Sequence, residues 1–135
     1  MTLICWNGSL SLGIELVDKQ HEHLVHIVNA LNDAMLAEMA DTVLGPMLVE
    51  LIACTVAHFK YEEQLLRTYN YAQMASHIAK HTHLTNQISD IQVQFDSGSS
   101  VIDVELMGFL RTWLSKHIQE SDKHFVPFLR SHRIS

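Results

Sequence analysis

The stretch MASHIAKHTHLTNQISDIQVQF, residues 74–95, decides the architecture of this chain. Met74, Ile78, His81, Leu84, Ile88, Ile91 and Phe95 recur at steps of three and four, the period of a helix with one face turned toward a core. A histidine, His81, stands inside that apolar stripe. His77 lies four residues before it, one turn away on the same face. The run therefore announces both a helix and an interior that holds imidazoles.

Outward from it, the pattern repeats. Upstream, a break at Asn70 and Tyr71 separates a run through Leu48, Leu51, Ile52, Val56, Phe59, Leu65 and Leu66, which predicts a helix ending near Tyr69. Asp41 or Thr42 is suited to its N-cap, with Pro46 expected in the first turn. Before that, Leu24, Ile27, Val28, Leu31, Met35 and Met39 predict a helix over 18–39. Downstream, DSGSS at 96–100 is the clearest loop, because Gly and Ser favour turns. A fourth helix is expected over about 103–118, and a short terminal one over 122–130, where Pro127 limits regularity. The first 17 residues read as an irregular arm pinned by Trp6. Four helices with short connections predict an all-α, up-down-up-down four-helix bundle with an irregular N-terminal arm and a short C-terminal helix.

The bulk properties narrow the function. A chain of 135 residues with 47% hydrophobic content can bury one core, so residues 1–135 are expected to form a single domain. A formal charge of −6 with nine dispersed Lys and Arg argues against nucleic acid as a partner, since phosphate contacts need clustered cations. The most apolar run, 47–59, carries Glu50 and His58 and is too short to span a bilayer, so no membrane insertion is expected. The N-terminus lacks the basic and apolar segments of a secretory signal, which makes the cytoplasm the expected compartment. Cys5 and Cys54 form no CxxC pair and are expected to be buried structural thiols.

Ten histidines in 135 residues stand out. His58 and Glu62 lie four apart in the second helix, matching His77 and His81 in the third. His58 follows the apolar run and His81 interrupts one, so both are expected to face inward. Several buried polar groups need satisfaction, each costing about 1–3 kcal/mol without it. On spacing alone the two pairs fit a metal centre and a solvated face equally well. The first helix adds His21 in DKQH, and the fourth adds His117 in WLSKHI, with Asp122 five residues on. Five residues turn a regular helix about 140° past a full turn, so His117 and Asp122 share a centre only if the chain is distorted between them. His23, His26, His83, His124 and His132 read as solvated surface histidines.

Together these residues resemble the hemerythrin family, specifically the prokaryotic bacteriohemerythrins. The resemblance spans nearly the whole chain: Trp6 and Gly13 in the arm, DKQH at 18–21, HFKYEE at 58–63, HIAKH at 77–81 and WLSKHIQESD at 113–122. It implies a hemerythrin-like oxygen-binding domain with two iron ions (Fe2+/Fe3+) and an oxo or hydroxo bridge. His77, His81 and His117 would bind one iron, His21 and His58 the other, and Glu62 and Asp122 would bridge them. The second iron would keep an open position for dioxygen. The donor chemistry agrees, since five imidazoles and two carboxylates exceed one tetrahedral zinc and suit two ions of higher coordination. Ferritin-like di-iron oxidases use Glu-x-x-His motifs, and this sequence has none.

The resemblance also implies an apolar oxygen pocket of Leu24, Phe59, Trp113, Leu114 and Ile118, residues whose periodicity alone would make them bundle core. The function it implies is reversible dioxygen binding for carriage, storage or supply, with no enzymatic activity. The alternative is an oxygen- or redox-sensing input domain, whose partner would be a fused or interacting signalling output domain.

Overall fold

The computed structural model describes residues 3–8 and 10–133, with the backbone alone for 120–123. The described residues are helical with connecting turns and contain no strand. Four long helices follow the arm: α1 (Glu15–Leu36), α2 (Asp41–Thr68), α3 (Met74–Asp96) and α4 (Val104–Lys116). The chain then widens into a π-helix over His117–Ser121, tightens into a 3-10 turn over Asp122–Phe125, and ends in α5 (Val126–Ser131). α1 packs on both α2 and α4, and α2 on α3, which is the expected up-down-up-down arrangement.

The apolar stripes meet as the periodicity requires. Val28 and Leu31 from α1, Leu48 and Leu51 from α2, Ile88 from α3 and Leu110 from α4 are all buried with no exposed surface. Each such side chain contributes about 1.5–3 kcal/mol relative to exposure, which sets this layer as the anchor of the bundle.

Several helix ends differ from expectation, beginning with α1, which starts at Glu15 and so takes in the last residues assigned to the arm. α1 stops at Leu36 rather than Met39, because Glu38 adopts a left-handed φ of 55° and the amides of Glu38 and Met39 turn back onto the carbonyls of Met35 and Ala34. Ala40, not Asp41 or Thr42, is the N-cap of α2, and it offers no side-chain bond. Asp41 instead begins the helix, where its charge favours the positive end of the dipole. Pro46 lies inside α2 beyond the first turn, leaving the ring to interrupt one intrahelical bond. α4 begins where expected, at Val104, and the Asp103 carboxylate caps it by accepting a hydrogen bond from the Leu106 amide at 2.9 Å.

α2 has the expected length, but as a whole helix it exceeds the apolar run 47–59, itself too short for a bilayer, and it is the one described helix long and apolar enough to cross a membrane by length and composition. Here it lies between α1 and α3, burying His58 and Glu62 along with Leu44, Leu48, Leu51 and Leu66.

The arm is held by more than Trp6, which is only half-buried. Ile4, Leu10, Leu12 and Ile14 are buried. The Asn29 side chain clasps the Ile4 backbone, accepting from its N–H and donating to its carbonyl, both at 2.8 Å. The Asp18 carboxylate accepts from the Leu12 and Gly13 amides and the Ser11 hydroxyl at 2.8, 3.1 and 2.7 Å. Gly13 has a φ of +78°, and a Cβ there would strike the Arg130 guanidinium, which donates to the Leu12 carbonyl at 3.3 Å. Arm and α5 thus close the same end of the bundle, the end where His21, His58, His77 and His117 lie.

Candidate metal centre

Each of the four long helices turns a polar side chain into this end. α1 brings His21, α2 brings His58 and Glu62, α3 brings His77 and His81, and the α4 extension brings His117. All six are at least 95% buried, His21 and Glu62 completely. The expectation that His58 and His81 face inward is therefore met. His23, His26, His83, His124 and His132 are exposed, as expected for surface histidines.

Two groups of ligand atoms form around one carboxylate. His21, His58, Glu62 and His117 make the first, and Glu62, His77 and His81 the second, with all ligand atoms in each group within 4.8 Å of one another. Glu62 belongs to both. Its Oε1 contacts His58 Nε2 and lies 3.4 Å from His117 Nε2 and 3.9 Å from His81 Nε2, while Oε2 is 3.8 Å from His77 Nε2. His21 and His58 meet Nε2 to Nε2 at 2.9 Å. His117 stands between the groups: its Nε2 is 3.5 Å from that of His58, and its ring centroid is 5.4 Å from that of His81.

Local structure explains this convergence. The i,i+4 spacing in α2 and α3 stacks each pair on one helix face. The distortion demanded between His117 and Asp122 is present as the π-helix His117–Ser121, whose wider turns bring a residue five positions on back toward the starting face. Asp122 begins the next turn, and its side chain lies outside the described residues.

Two polar neighbours are not evident from spacing. His58 Nδ1 is 2.6 Å from Gln20 Oε1. An amide oxygen only accepts, so Nδ1 carries the proton and Nε2 presents its lone pair to the interior. Glu63 Oε1 is 4.0 Å from His81 Nδ1, and partial burial holds the Glu63 carboxyl above the ordinary range, partly offset by Arg67, His77 and Lys60. Gln20 sits within the DKQH motif and Glu63 within HFKYEE, yet neither position identifies its partner without the fold.

The apolar residues expected to line a pocket are buried: Leu24, Phe59, Trp113, Leu114 and Ile118. Phe59 stacks on the His81 ring at 4.0 Å and meets the His117 ring edgewise at 4.9 Å. Leu24, Gln20 and His58 share the wall of a cavity of about 370 Å3 between α1 and α2. The Trp113 indole N–H is buried with no hydrogen-bond partner among the described residues.

The donor set itself tests what would fit. Imidazole nitrogens and carboxylate oxygens without thiolate suit a first-row transition cation, and their number exceeds one tetrahedral ion. A profile of the hemerythrin HHE cation-binding domain matches residues 12–129. The chain belongs to the hemerythrin family. Among its hemerythrin relatives, a bacteriohemerythrin of Pseudomonas paraeruginosa is 32% identical over 130 residues, covering 96% of this chain and 84% of the relative. The bacteriohemerythrin of Methylococcus capsulatus is also 32% identical, covering 96% and 98%. A crystal structure of wild-type hemerythrin superposes with a TM-score of 0.86 at 32% identity, covering 93% of this chain and 96% of that one. The bundle is thus the hemerythrin four-helix bundle, with a buried His/Glu cluster able to hold metal at its closed end.

Proposed function

We propose that residues 1–135 form a dioxygen-binding domain that holds two iron ions and serves oxygen carriage, storage or supply. The observation that carries this reading is Glu62, completely buried and common to both histidine groups. A carboxylate has two oxygens to offer two cations, whereas an imidazole directs one nitrogen at one cation. By the family pattern His77, His81 and His117 would hold one ion and His21 and His58 the other, with Glu62 and Asp122 offering carboxylate oxygens to both and an oxo or hydroxo group completing the centre. The His117 ring lies 5.4 Å from that of His81 and 5.6 Å from that of His58, within reach of either ion, and the π-helical turn supports Asp122. Loaded with iron, such a centre supplies one electron from each ion, Fe2+ passing to Fe3+, which matches the two-electron reduction of dioxygen and its reversal.

The chain's own residues would favour binding over catalysis. Gln20 fixes the tautomer and orientation of His58. Leu24, Phe59, Trp113, Leu114 and Ile118 form an apolar wall that keeps out bulk water and larger substrates, so that release competes well with side reactions. Tyr61 and Tyr71 are half-buried, and burial raises both phenols, which keeps them protonated at neutral pH. The protein is to be reduced without air, exposed to oxygen, and assayed for iron and visible absorption. Two irons per chain and an oxygen-dependent band that disappears on deoxygenation and returns are expected. A single zinc, or irreversible bleaching on first exposure, would overturn the reading.

A further inference from the structure

We propose that His23, Glu50 and Cys54 form a second cation site, on the outer face between α1 and α2, for a borderline divalent ion of the zinc type. His23 comes from α1, and Glu50 and Cys54 lie four residues apart on α2, so the two helices present three different donors to one point. Their ligand atoms all lie within 4.8 Å of one another. Cys54 Sγ is 3.9 Å from His23 Nε2. Across a tetrahedral zinc, with bonds of about 2.3 Å to sulfur and 2.0–2.1 Å to nitrogen, the same two atoms would stand about 3.5 Å apart. A small rotamer adjustment closes that difference.

The donor types select the ion. Thiolate with imidazole disfavours calcium and magnesium, which take oxygen ligands, and favours zinc, cobalt or nickel. Three protein donors leave a fourth position for water, the pattern of open zinc sites. Exposure fits that pattern: His23 and Glu50 are exposed and Cys54 is half-buried, contrary to the expectation that both cysteines are buried. His23 and Cys54 also line the α1–α2 cavity that reaches Gln20 and His58. A bound ion would tie the two helices together about a turn from the interior centre. It shares no donor with that centre, so the two sites stand or fall separately.

The iron-loaded protein, kept reduced so that its thiols stay free, is to be titrated with Co2+ in a Cys5→Ser background. The interior donors are nitrogen and oxygen only, so a thiolate-to-cobalt charge-transfer band in the near ultraviolet reports the surface cluster alone. One cobalt per chain carrying that band is expected, displaced by Zn2+. Cys54→Ser should abolish the band with the helical circular-dichroism signal retained, and His23→Ala and Glu50→Gln should each weaken binding by roughly tenfold or more. Absence of the band at saturating cobalt would overturn the proposal, as would unchanged affinity in His23→Ala or Glu50→Gln.

Discussion

Where α1 turns into α2 and α3 into α4, the bundle interior is filled by Leu31, Leu44, Leu48, Ile88, Met107 and Leu110, whereas at the opposite end the same helices meet over His21, His58, Glu62, His77, His81 and His117. The two ends differ in their energetics. The apolar end gains from every buried side chain. The polar end holds groups whose burial is unfavourable unless they are satisfied, so it relies on the stability of its counterpart. The difference also appears in how each end is closed. At the apolar end Leu36, Met39, Val93, Val101 and Val104 stay exposed around the turns. At the polar end the arm and α5 are clasped over the helices by Asp18 and Arg130.

This division of labour can be broken by paired substitutions. Glu62→Ala is expected to have the largest effect, loss of both irons by metal analysis of folded protein, because it removes the carboxylate common to both histidine groups. Leu110→Ala should do the reverse: about 2–5 kcal/mol less stable in a urea melt, with iron per folded chain unchanged. If Glu62→Ala kept two irons, or Leu110→Ala lost them while folded, the two ends would not have the separate roles assigned here. A smaller change sharpens the comparison. Gln20→Ala should weaken iron retention about 10–100-fold in a chelator competition and leave the urea midpoint of the metal-free protein in place. An unaltered chelator curve would show that His58 is oriented by packing alone.

The contrast also explains what could be read from the sequence. The apolar end was legible because Leu48 and Ile88 obey a helical period that their own segments display. The inward aim of His58 and His81 was legible as an interruption of that period, and the spacing of His117 and Asp122 required a distortion that the π-helix supplies. Helix ends were less so: Ala40 caps α2 without a side-chain bond, and Glu38 ends α1 through a backbone conformation its residue type does not announce. Contacts between helices were hidden altogether. Gln20 meets His58 from another helix, Asn29 reaches back to Ile4, and His23 meets Cys54 across the α1–α2 seam. No periodicity within one helix encodes which residue of its neighbour stands opposite.

The shared carboxylate is tested most directly by anomalous diffraction at the iron edge from crystals of the iron-loaded protein. Two iron peaks, one toward His21 and His58 and one toward His77 and His81, each bonded to a different oxygen of Glu62, are the predicted result. A single peak, or two peaks of which only one touches Glu62, would contradict the account.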